Sequence, residues 1–163
     1  MAPRGDAFRS VLGRFCSGIV IVTSKEGRRP LGLTAQSFAS VSLDPPLVLF
    51  CPAKTSTSWP PIRATGKFCV NVLSEEQLGV ARNFAVSGGD KFAGIDWHWS
   101  PGGLPMMADC LAYIECELDQ VHDAGDHEIA VGRVTSLASG RPERPLLYYQ
   151  SVYHQLHREQ LAS

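Results

Sequence analysis

Long hydrophobic runs are missing from this chain, and so is any surplus of charge. The longest apolar stretches, Ile19–Val22 and Leu47–Cys51, are far too short to span a bilayer. Fifteen basic residues face sixteen acidic ones, a formal net charge of −1. That balance gives no electrostatic reason to expect nucleic acid or a membrane surface as partner. Arg4, Asp6, Arg9 and Arg14 interrupt the N-terminus before an apolar core can form, so no signal peptide is expected. The five cysteines, at positions 16, 51, 69, 110 and 116, contain no Cys-x-x-Cys pair. Their odd number and apolar settings predict reduced thiols in a cytoplasmic protein rather than a disulfide framework. No Gly-x-Gly-x-x-Gly is present, which argues against a Rossmann dinucleotide domain. A Gly-x-Ser-x-Gly elbow is absent too, and no His/Cys/Asp/Glu set has ligand spacing, so no metal is expected.

What is present is a globular composition: 163 residues, 44% hydrophobic and 19% charged. That length suits one domain spanning residues 1–163. Asp6 can cap a short helix whose Phe8, Val11, Leu12 and Phe15 share one face. Strands are expected at Ser17–Ser24, Leu31–Ser42 and Leu47–Cys51, with Asp44-Pro45-Pro46 as the breaker before the last. A helical turn is expected over Ser58–Thr65, closed by Gly66, then a strand at Lys67–Leu73. Ser74 and Gln77 form a capping box ahead of a helix with Leu78, Ala81, Phe84 and Ala85 along its apolar stripe. Ser87–Ala108 reads as a long irregular cover loop. Leu111–Val121 alternates cleanly, turns at Asp123–Asp126 and returns as His127–Leu137; Leu146–Tyr149 is the last strand. Many short strands with few helices predict a mainly β, closed antiparallel barrel.

Chemistry concentrates in Gly32–Trp59. Thr34, Gln36, Ser37 and Ser40 can hydrogen-bond a flat heteroaromatic ring without carrying charge. The loop Ala53–Ser58 offers hydroxyls, backbone N–H groups and Lys54, which suits a phosphate. A ring-reading edge beside a phosphate-reading loop makes a candidate flavin binder. His127 opens a strand after a tight turn; it either contacts a nicotinamide or flavin or is a solvated turn residue. Glu128 alternates to the opposite face, which weakens a His–Glu dyad. Within Gly89–Gly94, Lys91 can reach a phosphate and Phe92 can cover a ring, or the pair is simply an exposed lysine and a core aromatic. Tyr148, Tyr149 and Tyr153 either line a ring site or pack the core.

Five ordered motifs resemble the flavin reductase-like family: GLTAQSFASVSLDPPLVLFC, the Lys-Thr-Ser loop after it, FCVNVL at 68–73, DKF at 90–92 and GDH at 125–127. The similarity runs from about Phe8 to Tyr153. Within the family the chain looks like the reductase component of two-component flavin-dependent monooxygenases, nearest to those serving phenol and steroid-phenol hydroxylases. The resemblance implies an FMN-binding split barrel with a Greek-key course, a homodimer, and NADH- or NADPH-dependent reduction of FMN or FAD for a separate oxygenase. It implies that Thr34, Ala35, Gln36, Ser37 and Phe38 border the flavin ring, with Ser40 and Ser42 further along. Cys51, Pro52, Ala53, Lys54, Ser56, Thr57 and Ser58 would hold ribityl and phosphate groups, with Lys91, Phe92 and Tyr148 nearby. His127 would mark the nicotinamide side, and His127 and Ser37 are the residues expected to tune catalysis. Gln36 departs from the family, where asparagine is common, which leaves FMN against FAD open. Two other readings stay open: a flavin-binding sensor without catalysis, and a flavin-dependent oxidase of a small organic substrate.

Overall fold

Helix α1 (Gly5–Leu12) opens the computed structural model, which describes residues 5–157. After it come β1 (Ser17–Gly18), β2 (Val20–Glu26), β3 (Arg29–Ala35), β4 (Ala39–Leu43) and β5 (Pro46–Phe50). Helix α2 (Trp59–Thr65), β6 (Lys67–Val72) and helix α3 (Leu78–Ala85) form the middle of the chain. Short β7 (Trp97–Trp99) and β8 (Pro105–Met107) precede the long β9 (Ala112–Ala124) and β10 (His127–Ser139). Strands β11 (Leu146–Tyr149) and β12 (Val152–Gln155) end the described chain.

Seven strands form one antiparallel sheet in the order β3-β2-β6-β9-β10-β5-β4. β11 pairs with β1 and β12 in a second sheet, and β7 pairs with β8. The large sheet curls around Val22, Leu33, Phe50, Trp59, Phe68 and Cys116, all buried. Phe50 anchors this core by edge-to-face contacts with Trp59 and Phe68, at centroid distances of 5.4 and 5.3 Å. A second core, containing Ile21, Leu73, Phe84, Phe92 and Met107, lies under α3 and the β7–β8 hairpin.

Several expectations need correction. The barrel does not close by hydrogen bonding: β3 and β4 are the two edges of the large sheet, and no ladder joins them among the described residues. The single strand expected at Leu31–Ser42 breaks at residues 36–38. There the Ser37 hydroxyl accepts a hydrogen bond from the Cys51 N–H (2.8 Å) and donates to the Cys51 carbonyl (3.3 Å). A side chain thus occupies backbone groups that a continuing strand would have paired. The expected cover loop contains the β7–β8 hairpin, whose alternation is too short to stand out. β12 was also unforeseen. α1 forms, but its apolar stripe buries nothing: Phe8, Val11, Leu12 and Phe15 are all exposed.

The helix signals fared better. Gly66 closes α2 at φ 68°, a left-handed cap that glycine adopts without strain. Ser74 and Gln77 form the capping box, on a 3₁₀ turn (Glu75–Gln77) that leads into α3. At Gly32 of β3, any Cβ would collide with the Phe84 ring. This close approach lets α3 lie flat against β3, where the Thr34 hydroxyl donates to the Ala81 carbonyl at 2.8 Å.

All five thiols are free. Burial pushes the Cys69, Cys110 and Cys116 thiols up to about 12, which keeps them protonated and unreactive. Among the described residues no helix is long and apolar enough to cross a membrane.

Candidate active site

Two clefts adjoin beside the β3 edge. The smaller, of about 290 Å³, runs from Thr34, Gln36 and Ser37 across Cys51 and Pro52 to the 53–58 loop. The larger, of about 660 Å³, is lined by Arg29, Pro30, Pro61, Gly89, Phe92 and Trp97. Thr57, Ser58 and Lys91 line both clefts and form the neck between them.

The wall of the smaller cleft is braced from behind. Lys54 N–H donates to the Asp126 carbonyl (2.9 Å) and Glu128 N–H to the Pro52 carbonyl (3.0 Å), so the β9–β10 turn carries the 52–54 segment. Glu128 also accepts from Trp59 Nε1 (2.5 Å) and pairs with Arg63 Nη1 (2.6 Å), which fixes α2 against β10. Ser56 Oγ accepts from the Trp59 N–H at 3.3 Å. The N–H groups of Thr55, Thr57 and Ser58 have no partner among the described residues.

Among the described residues Lys91 is the only cation lining the smaller cleft. Its Nζ donates to Ser58 Oγ (3.0 Å), the Phe84 carbonyl (3.1 Å) and the Gly32 carbonyl (3.4 Å). These bonds fix the ammonium in place, but none of the acceptors carries charge. Burial lowers the Lys91 pKa from its ordinary 10.5, and among the described residues no carboxylate pairs with it. A half-buried cation without a counter-ion, next to unpartnered N–H groups and hydroxyls, has the chemistry to receive a phosphate-type anion.

Of the residues singled out from the sequence, the smaller cleft gathers Thr34, Ala35, Gln36, Ser37, Cys51, Pro52, Ala53, Ser56, Thr57, Ser58 and Lys91. Phe92 lies next door in the larger cleft. Others lie elsewhere. Phe38 packs on the sheet core; Ser40 and Ser42 sit on β4 outside either cleft. Lys54 points outward to an ion pair with Asp123. Tyr148 stacks edge-on with Tyr153 in the second core, 5.1 Å between centroids, away from the groove. His127 lines neither cleft but stands one position behind the wall, bridged by backbone to Ala53. Its Nδ1 lies 2.7 Å from Asp126 Oδ1, and this bond, then the imidazole's charge, holds the Asp126 carboxyl below its usual range. Glu128 turns the other way, as strand alternation requires.

Ser87, Arg29, Pro61 and Trp97 also line the clefts, without a signal in the sequence that singles them out. Thr55, inside the hydroxyl loop, lines the smaller cleft as that loop predicts. Trp97 belongs to the hairpin that was read as irregular, and only the fold brings it to the groove.

Residues 12–157 match the model of the flavin reductase like domain. The chain belongs to the flavin reductase-like domain family. It is 55% identical over 146 residues to a Rhodococcus jostii protein named flavin-dependent monooxygenase, reductase subunit HsaB, spanning 90% of this chain and 75% of that one. Among solved structures it is similar to a nitrilotriacetate monooxygenase component B homologue from Mycobacterium thermoresistibile, with a TM-score of 0.92 and 47% identity over 97% of this chain and 89% of that one. It also matches the Streptomyces globisporus NADH:FAD oxidoreductase SgcE6 in complex with NAD and FAD fragments: TM-score 0.90, 32% identity, 100% of this chain and 98% of that one. For a flavin reductase-like domain the groove is chemically apt, because it joins a neutral polar wall to a neck that carries a cation.

Proposed function

We propose that the chain is an NAD(P)H:flavin oxidoreductase that reduces FMN or FAD and releases the reduced flavin to a separate oxygenase component. The observation that carries this reading is the neck. Lys91 is half-buried, held by three neutral acceptors, uncompensated by any carboxylate, and opens onto a wall of small uncharged side chains. The residues fit a flavin phosphate at Lys91, Thr57 and Ser58, and a flavin ring along Thr34–Ser37.

A bound flavin supplies a hydride acceptor for reduced nicotinamide, a transfer that needs no acid or base from the protein. The chain's part is positioning. Among the described residues the smaller cleft is lined by no carboxylate and no histidine, in keeping with a site that binds and orients rather than shuttles protons. Ser37 acts as a positioning residue: it clasps the 36–38 link to the end of β5 and so sets the wall. Gln36, exposed and without a side-chain partner, offers its amide to the ring. His127, behind the wall at Ala53, would mark the nicotinamide side.

The unpaired β3 and β4 edges of the large sheet are compatible with a split barrel, and the smaller cleft beside β3 is the groove read here as the flavin site. The chain folds as one domain, works in the cytoplasm and pairs as a homodimer. The surface supports pairing: it exposes large apolar side chains at Phe8, Val11, Leu12 and Phe15. It also leaves Leu43 and Leu137 uncovered.

The test is to mix purified protein with NADH and follow nicotinamide absorbance with and without added FMN or FAD, measuring particle mass by light scattering on the same sample. Oxidation only when flavin is added, and particles of two chains, are expected. Tightly held flavin without NADH consumption would overturn the reading in favour of a sensor, and consumption of an organic substrate in favour of an oxidase. A single-chain particle would remove the dimer.

A further inference from the structure

We propose that the larger cleft is an adenylate pocket that takes the second half of FAD, with Trp97 and Arg29 selecting FAD over FMN. This rests on the flavin reading above. If the flavin ring lies along Thr34–Ser37 and its phosphate at Ser58 and Lys91, FMN ends at the neck. The groove does not end there. It opens into a cleft more than twice the volume of the first, sharing Thr57, Ser58 and Lys91 with it. A ligand that passes the neck must carry a phosphate there and continue beyond it.

The lining suits a flat aromatic group. Trp97 and Phe92 meet edge to face at 5.2 Å, and Phe92 meets Phe84 at 4.8 Å. This ring chain is fixed from below by the second core and presents Trp97 to the cleft. Pro30 and Pro61 line the same cleft with rigid apolar rings. A purine against an indole and proline faces gains contact with little ordering of side chains.

Arg29 provides for the second phosphate. It lines the same cleft, and its one ion pair, with Glu26 at 2.8 Å, joins two side chains that are each more than 60% exposed. Such a surface pair holds the guanidinium only weakly, so it is free to turn to a pyrophosphate, for which its planar fork is suited. The neck cation is already assigned to the first phosphate, so a second needs a partner of its own.

Reduced nicotinamide dinucleotide also carries an adenylate, so the test separates the two sources. FMN and FAD are titrated into the protein without nicotinamide, read by flavin fluorescence, for wild type, Trp97→Ala, Trp97→Phe and Arg29→Gln. Trp97→Ala is expected to weaken FAD about tenfold, the worth of one base–aromatic stack. Arg29→Gln is expected to weaken FAD about threefold, the loss of a charge-assisted contact. FMN affinity stays within about twofold in both, which also shows that the variants fold, and Trp97→Phe recovers most of the FAD affinity. Equal losses for both flavins, or no loss for either, overturn the pocket. A higher NADH KM in Trp97→Ala with unchanged FAD affinity also overturns it and gives the cleft to the nicotinamide dinucleotide. A wild-type protein that binds neither flavin sinks the flavin reading itself along with the pocket.

Discussion

Asn71 and Lys91 are both polar side chains turned inward in a β-rich protein, and both are tied down by several hydrogen bonds, but the two sites are finished differently. At Asn71 every polar atom is answered inside the fold. Nδ2 donates to the Ile21 carbonyl and to Thr23 Oγ1, each at 3.0 Å, and Oδ1 accepts from the Met107 N–H at 2.9 Å. Thr23 Oγ1 in turn donates to the Pro105 carbonyl. The knot is neutral, fully buried and faces no cavity. At Lys91 the hydrogen bonds are made but the charge is not balanced, and the neighbouring loop N–H groups are open. A closed polar network specifies structure; one left incomplete at the mouth of a groove waits for a ligand.

The sharpest way to test this contrast is Asn71→Ala. The change leaves the buried Met107 N–H without an acceptor and opens a small void. A loss of about 3 kcal/mol in unfolding free energy is expected from one unsatisfied buried donor plus lost packing. The β7–β8 hairpin hangs on this residue, so its amides should lose protection in hydrogen exchange first. Flavin KM should hardly move in whatever protein remains folded. A large rise in flavin KM with little loss of stability would erase the distinction between the two polar sites.

How far such features can be read in advance depends on range. Signals that act within a few residues were legible: the Gly66 cap, the Ser74–Gln77 box, the alternation that puts Ile114, Cys116 and Leu118 on the core side of β9. The Thr34–Ser58 groove wall was legible too, because uncharged donors and a hydroxyl loop are close in sequence. Interactions across the fold were not. Ser37 breaks its strand because of Cys51, fourteen residues on; Asn71 matters because Met107 is thirty-six residues away. The α1 stripe predicted a helix correctly but not its neighbour, since periodicity shows that a face is apolar and not what covers it. Tyr148 fits a ring site by composition, and only its pairing with Tyr153 shows that it packs the second core.

Ser37 sits between the two extremes, a satisfied hydroxyl that belongs to the groove wall. Replacing it by alanine removes one hydrogen bond pair to half-exposed backbone, so unfolding free energy should fall by only about 1 kcal/mol. The functional effect should be selective. Loosening the 36–38 link is expected to raise flavin KM a few-fold, about the equilibrium equivalent of that bond, while leaving NADH KM near wild type. Ser37→Thr, which keeps the hydroxyl, should restore it. If NADH KM rises in step with flavin KM, or if threonine fails to rescue, Ser37 is not setting this wall.

The smallest effect expected is also the one most particular to the neck. Burial lowers the Lys91 pKa below 10.5 in the folded chain, so between that lowered value and 10.5 the unfolded chain binds the proton more strongly. The desolvated ammonium therefore weighs against folding in full below its folded pKa, and stability from this group rises as pH climbs through the window. Affinity for an anionic phosphate goes the opposite way, since it needs the charge: flavin binding should weaken across the same alkaline window. Phosphate binding should accordingly draw a proton onto Lys91 there. In Lys91→Arg the charge persists to higher pH, so the alkaline decline should shift upward. Taking the difference between the two proteins removes the flavin's own titration from the profile. Identical alkaline limbs in wild type and Lys91→Arg would mean that the phosphate does not meet this cation, and the neck would then be a closed structural tie like the one at Asn71.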